Sequence, residues 1–167
     1  MDPGLPTGTV TLLFSDIEGS TTLLRRLGEA YADALSAERA LVRGAIARWH
    51  GHEMGTEGDS FFVVFTSAQQ AVLAAVEAQR GLARHAWPGD VRLRVRMGLH
   101  TGVPQRHEDG YIGLDVHRAA RIGSCAHGGQ IVVSASTAAA AHVKTLRTNL
   151  GRADCITTRS RSRSVAV

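Results

Sequence analysis

Two aspartates of this 167-residue chain lie where a buried strand and a tight turn would present carboxylates to solvent. Asp16 follows the strand-like run TVTLLF (residues 9–14), and Asp59 lies in the turn Glu57-Gly58-Asp59. Two carboxylates and a backbone carbonyl, with positions left for phosphate oxygens, commonly hold Mg²⁺ in nucleotide enzymes. Alone, Asp16 could cap a helix and Asp59 could shape a turn. The pair together indicates a divalent-metal site.

The segment directly after Asp16 predicts an anion site next to the metal site. Its sequence is typical of the start of a helix, where free backbone N–H groups and the helix dipole favour a phosphate. The residues concerned are Ile17, Glu18, Gly19, Ser20 and Thr21. We therefore expect a metal ligand and a phosphate-binding backbone to be neighbours along the chain.

The hydrophobic pattern predicts the elements that position these residues. The expected order is strand, helix, strand, strand, helix, strand, with one further helix and strand. The expected strands cover residues 9–14, 52–56, 60–65, 91–101 and 130–134, and helices are expected after residues 18, 31, 68 and 113. This order predicts an α+β fold, a ferredoxin-like βαββαβ sheet extended at its C-terminal end. A doubly wound parallel sheet is the competing fold, and the hairpin at residues 57–59 argues against it.

Charge and composition limit the partners that we expect. The net charge of +4 comes from residues 142–167, which carry a surplus of +5. We divide the chain into a lead (1–8), one domain (9–141) and this basic Arg/Ser tail, expected to be disordered or atypical. With 5% aromatic residues and the excess charge confined to the tail, we do not expect a nucleic-acid partner. Without a long apolar run or a signal pattern, we expect a cytoplasmic protein with no membrane attachment.

Four segments resemble, in order, the signatures of class III nucleotidyl (adenylate/guanylate) cyclase catalytic domains. They are TLLFSDIEGST (11–21), GDSFFVVF (58–65), RMGLHTG (96–102), and VHRAARI (116–122) with HGGQI (127–131). The overall sequence is similar to those of bacterial, and especially actinobacterial, cyclase domains. The resemblance implies the class III cyclase fold and conversion of ATP, secondarily GTP, to a cyclic 3′,5′-nucleotide and pyrophosphate. It also implies two Mg²⁺ or Mn²⁺ ions per site.

The resemblance assigns roles to individual residues. Asp16 and Asp59 match the metal-binding aspartates, assisted by the carbonyl of Ile17, and the backbone of residues 17–21 would hold the triphosphate. Arg96 matches an arginine that contacts phosphate. These roles agree with the physics of phosphoryl transfer, which requires positioning and charge neutralisation more than covalent chemistry.

A further implied role concerns the transition state. Arg121 matches the arginine that stabilises the transition state as the ribose 3′-oxygen attacks the α-phosphate. The resemblance implies a head-to-tail homodimer in which the metal aspartates of one chain face the Arg121 of the other.

Three positions depart from the family pattern. Gly55 stands where ATP-specific cyclases carry a lysine, and Gly110 stands where they carry a second purine-reading residue. His117 replaces the asparagine that orients the ribose; it is four residues before Arg121, so both would project from one helix face. A neutral histidine can donate one hydrogen bond, as an amide does. A glycine donates none from a side chain, so we expect weak or promiscuous activity.

Two functions from different classes remain open at this point. One is a nucleotidyl cyclase. The other is a degenerate cyclase domain that binds nucleotide or a partner as a regulatory or dimerisation module, without turnover.

Overall fold

The computed structural model of the chain describes residues 4–144 and 156–159. The strands are β1 (Val10–Ile17), β2 (His52–Glu57), β3 (Ser60–Phe65), β4 (Val95–Gly102), β5 (Gln105–His107), β6 (Gly110–Ile112), β7 (Ile131–Ser134) and β8 (Ile156–Arg159). The helices are α1 (Ser20–Leu27), α2 (Ala30–Arg48), α3 (Ala68–Arg84), α4 (Leu114–Ser124) and α5 (Ala135–Ala140). No helix within the described ranges combines the length and the apolar character that a membrane span requires.

Six strands form one sheet in the order β2-β3-β1-β4-β7-β8. The first four pair with one another in antiparallel orientation, and β7 and β8 are added in parallel beyond β4. The order β2-β3-β1-β4 is that of a ferredoxin-like βαββαβ unit. The predicted α+β fold with a C-terminal extension is therefore confirmed, and β1, which carries Asp16, lies centrally between β3 and β4.

The two faces of the sheet are covered by different helices. Since side chains alternate along a strand, Leu13 packs into the core formed with α2 and α3, whereas Leu12 packs against Ala119 of α4. Asp16 lies two pleats beyond Leu12, so its side chain is on the α4 face. The sheet therefore places the Asp16 carboxylate on the same face as the helix that carries His117 and Arg121.

A glycine contact brings α4 close to β4. A Cβ atom at Gly98 would lie 2.1 Å from the backbone nitrogen of Gly123. Real Cβ atoms do not approach backbone so closely, so only glycine at 98 permits this packing. The contact fixes the height of α4 on the sheet, and with it the position of Arg121 one half-turn earlier.

Several local features differ from the sequence expectations. β1 continues to Ile17 because Asp16 and Ile17 still pair with β4, and β4 begins at Val95, although Val91 before it is already buried. The segment between the predicted strand 91–101 and the helix expected after residue 113, for which we predicted no strand, contains the hairpin β5–β6. β8 lies inside the predicted basic tail (142–167) and pairs with β7, so these four residues continue the sheet. Val143, also inside that tail, is buried in the core, while residues 145–155 and 160–167 lie outside the described residues.

Candidate functional site

The structure brings the two predicted metal aspartates to one end of the sheet. β1 and β3 are neighbours, and the turn before β3 reaches the end of β1. The backbone N–H of Ile17 donates a hydrogen bond to Oδ2 of Asp59 at 3.1 Å. Asp59 therefore lies against the residue that follows Asp16, and the carbonyl of Ile17 belongs to the same short segment.

Arg96 contacts Asp16 from the neighbouring strand. The two residues are directly opposite each other in the β1–β4 register, and the guanidinium donates from Nε to Oδ1 at 2.7 Å and from Nη2 to Oδ2 at 2.6 Å. The hydrogen bond that Arg96 donates to Asp16 raises the pKa of Arg96; partial burial lowers it, and the charges of Asp16, Glu18 and Asp59 raise it further. The arginine predicted to contact phosphate thus lies at the predicted metal site.

Helix α2 holds the hairpin that carries Asp59. Arg39 donates to the carbonyl of Gly58, the residue before Asp59. One turn later Arg43 makes two hydrogen bonds with the carboxylate of Glu53. Gly58 has a φ of 57°, a left-handed conformation that glycine adopts at little cost. These contacts fix the turn, and therefore the position of the Asp59 carboxylate.

The N-terminus of α1 is open toward an anion. Gly19 precedes the helix with a φ of 65°, and no side chain caps the first turn. Two of the five predicted phosphate donors are engaged within the protein, since the N–H of Ile17 binds Asp59 and that of Glu18 binds the carbonyl of Arg94 at 2.9 Å. The predicted phosphate-binding backbone is thereby narrowed to residues 19–21.

The donor set at this end of the sheet fits Mg²⁺ or Mn²⁺. Asp16, Asp59 and the carbonyl of Ile17 offer only oxygen, the donor that these hard cations prefer. Within the described ranges, no group of three or more His, Cys, Asp or Glu side chains could hold a metal ion by itself. Such a partial oxygen set leaves coordination positions open for phosphate oxygens and water.

His117 and Arg121 lie elsewhere on the same chain. Both are exposed on α4 and line a cleft of about 1030 Å³, whereas Asp16 and Arg96 line a second cavity of about 120 Å³. Ser124 of α4 borders both. Within the described part of the chain, no carboxylate forms an ion pair with Arg121. The guanidinium predicted to act in the transition state is therefore available to a group outside this chain's own metal site.

The two positions predicted to read the base are both glycines, and both face open space. A Cβ atom at Gly55 would meet nothing within 4 Å, and one at Gly110 would meet only the carbonyl of His107 at 4.0 Å. Neither glycine has a positive φ. Larger residues therefore fit at both positions without strain.

A buried polar network that the sequence analysis missed fixes the start of α4. His100 is 4% exposed and contacts Asp115 Oδ1 from Nε2 and Ser134 Oγ from Nδ1, both at 2.9 Å. Asp115 also accepts the N–H of Val103. Burial raises the pKa of Asp115, but the hydrogen bonds from His100 and Val103 outweigh it and hold that pKa below its usual value. In the sequence, the only indication of this network was the segment His-Thr-Gly within the third signature, and we predicted no role for it.

Glu38 is a second residue that the sequence analysis missed. It lies on the inner side of α2, is fully buried, and its carboxylate oxygens have no hydrogen-bond partner among the described residues. Burial raises its pKa to about 7, with Arg39 opposing and Asp59 adding to the shift. Glu38 lies on the side of α2 whose other residues are apolar. The sequence signal that we missed was a charged residue at a position where burial of the charge is unfavourable.

We expect Glu38→Gln to remove a pH-dependent loss of stability. A carboxyl whose pKa is raised on folding favours the protonated state, so the free energy of unfolding falls as pH rises from about 4.5 to about 7. At about 1.4 kcal/mol per pKa unit, the loss above pH 7 is on the order of 3 kcal/mol. Urea unfolding at pH 5 and pH 8 measures it, with the exposed Glu29→Gln as control. An identical pH dependence in the parent and Glu38→Gln would contradict the assignment.

Comparisons with known proteins identify the family of the chain. The family model described as "Adenylate and Guanylate cyclase catalytic domain" matches residues 5–163. An uncharacterised protein of Mycobacterium tuberculosis (strain H37Rv) is 42% identical over 135 residues, covering 79% of this chain and 45% of that protein. The expected actinobacterial character is confirmed by this relative.

Solved cyclase structures have the same fold. Adenylate cyclases from Trypanosoma brucei, solved in their monomeric state, superpose with a TM-score of 0.75 at 30% identity, covering 86% of this chain and 77% of that one. The guanylyl cyclase Cya2 superposes with a TM-score of 0.72 at 27% identity, covering 83% and 80%. The chain spans about half the length of the mycobacterial relative. With the family model matching nearly its whole length, the chain belongs to the adenylate and guanylate cyclase catalytic domain family.

Proposed function

We propose that the chain is a nucleotidyl cyclase that converts ATP, and secondarily GTP, to a cyclic 3′,5′-nucleotide and pyrophosphate in the cytoplasm. One observation carries the proposal. Asp59 contacts Ile17, the residue after Asp16, beside the uncapped N-terminus of α1, while Arg121 is exposed in a different cleft and forms no ion pair with a carboxylate of the described residues. This divides the groups needed for phosphoryl transfer into two halves, which a head-to-tail homodimer would join into two equivalent sites.

The metal half would bind the triphosphate. Asp16, Asp59 and the carbonyl of Ile17 would hold two Mg²⁺ or Mn²⁺ ions, which when bound neutralise phosphate charge and favour ionisation of the ribose 3′-hydroxyl. The N–H groups of residues 19–21 point from a helix start, where the dipole favours phosphate oxygens. Arg96 adds a planar guanidinium suited to two oxygens of one phosphate.

The other half would act in the transition state. As the bond forms between the 3′-oxygen and the α-phosphorus and the bond to pyrophosphate breaks, negative charge develops on the phosphate oxygens. Arg121 of the second chain would donate to those oxygens, and its exposure allows it to reach across a dimer. His117, one turn earlier on α4, would donate to the ribose and orient it.

We expect purified protein to form cyclic nucleotide from both ATP and GTP, with efficiencies within about tenfold of each other. Gly55 and Gly110 supply no side chain that distinguishes the two bases, and tenfold corresponds to only about 1.4 kcal/mol. Chromatography of products formed with Mn²⁺ or Mg²⁺, each nucleotide offered separately, measures this ratio.

The open space at both glycines permits a designed gain of selectivity. The double variant Gly55→Lys with Gly110→Asp should increase the preference for ATP, and the double alanine variant, which fills the same positions without polar groups, should not. A parent protein already strongly selective for ATP would show that other residues read the base.

The non-catalytic alternative gives a different result in the same assay. A degenerate domain would bind metal and nucleotide, or a partner, and form no cyclic product with either nucleotide or either metal. That outcome would overturn the catalytic proposal and leave a regulatory or dimerisation module.

A further inference from the structure

The ion pair between Asp16 and Arg96 occupies the carboxylate that the proposed function assigns to a metal ion. Both oxygens of Asp16 accept hydrogen bonds from the guanidinium, at 2.7 and 2.6 Å. A divalent cation that binds Asp16 needs at least one of those oxygens. Each oxygen keeps a second lone pair, but the guanidinium and a metal ion at one carboxylate repel each other, so the two cations compete for Asp16.

The pair is built into the sheet rather than formed by a chance surface contact. Asp16 and Arg96 are directly opposite on the adjacent strands β1 and β4, and their side chains are 33% and 29% exposed. Within the described residues, this is the one ion pair in which Asp16 takes part. Arg96 also experiences the charges of Glu18 and Asp59, so its single positive charge lies within reach of three carboxylates.

Competition of this kind is relieved when the guanidinium has another anion to bind. A triphosphate placed at the start of α1 offers Arg96 oxygens in the bidentate geometry that it now makes with Asp16. Arg96 would then leave Asp16 as the nucleotide arrives. The carboxylate becomes available to the metal at the moment when phosphate oxygens complete the metal's coordination.

We propose that Arg96 is a competitive counter-ion at Asp16, which withholds the carboxylate from a divalent cation until a triphosphate draws the guanidinium away. Metal and nucleotide consequently bind with positive cooperativity, and this coupling is reciprocal. The inference rests on the proposed function, to which it adds a specific role for Arg96 before catalysis.

The first test is a titration of Mn²⁺ without nucleotide, followed by the electron paramagnetic resonance signal of the free ion. Arg96→Gln should bind Mn²⁺ at least about tenfold more tightly than the parent, because the competing charge is gone. Arg92→Gln, an exposed arginine just before β4, removes the same charge elsewhere and should remain near the parent. In the double variant Asp16→Asn with Arg96→Gln, the added affinity should be lost.

The second test measures cooperativity with a fluorescent ATP analogue, at zero and at saturating Mg²⁺. The metal should increase the affinity for the analogue in the parent by about tenfold more than in Arg96→Gln. Arg96→Lys, which keeps the charge without the planar fork, should fall between them. Circular dichroism establishes that each variant is folded.

The outcomes separate this inference from the proposed function. Equal Mn²⁺ affinity of folded parent and Arg96→Gln, with binding lost in Asp16→Asn, would overturn the competition and leave the metal site intact. Absence of Mn²⁺ binding in every variant, with and without nucleotide, would overturn the metal site itself and the inference with it.

Discussion

Replacing Asp16 or Asp59 by alanine should abolish metal-dependent nucleotide binding and reduce cyclic-nucleotide formation to background. One remaining carboxylate cannot hold two octahedral cations beside the triphosphate. Titration of a fluorescent ATP analogue with Mn²⁺, together with the product assay, measures both effects. Glu57→Ala removes an exposed carboxylate from the same hairpin and should behave as the parent does.

The hydrogen bond at Asp59 determines which variant removes the negative charge without also removing a structural contact. This carboxylate accepts the N–H of Ile17, so Asp59→Ala removes a hydrogen bond as well as a negative charge. Asp59→Asn keeps an acceptor oxygen in the same place and removes only the charge. Both variants should lose metal-dependent binding, and an Asp59→Ala protein that binds Mn²⁺ and ATP as well as the parent would contradict the metal assignment.

The second large effect concerns Arg121. Arg121→Ala should lower turnover on the order of 10²- to 10³-fold while leaving metal-dependent nucleotide binding nearly intact, because its charge acts mainly in the transition state. Steady-state rates and the fluorescent titration measure the two quantities separately. Arg84→Ala, at the end of α3 on the opposite face of the sheet, is the charge-matched control. An equal loss of nucleotide affinity and rate in Arg121→Ala would contradict a transition-state role.

The sequence predicted the fold because its signals are local and consistent. The tight turn at residues 57–59 and the switch between strand and helix periodicity are set by neighbouring residues, and together they indicate the βαββαβ element order of a ferredoxin-like sheet. We did not predict β8, because its four residues lie in a segment rich in arginine and serine. Their pairing with β7 is a long-range contact, which the local sequence pattern does not reveal.

Only part of the candidate site could be predicted, because some of its contacts are local in sequence and others depend on the pairing of distant strands. The segments carrying Asp16 and Asp59 stand next to recognisable turns, so their convergence follows from topology. The hydrogen bonds from Arg96 to Asp16, and the capture of the Ile17 and Glu18 N–H groups, depend on strand register. The register between strands that are distant in sequence depends on how the whole buried face of the sheet packs, and a short motif does not contain that information.

The central claim is that two copies of this chain share each site, with the aspartates from one and Arg121 from the other. It is tested most directly by mixing two inactive proteins, Asp16→Ala and Arg121→Ala, and measuring cyclic-nucleotide formation. With random exchange of subunits, half the dimers are mixed and half of their sites are intact, so about a quarter of parental activity should return. No recovery, in a mixture shown by differential tags to have exchanged subunits, would contradict the shared site.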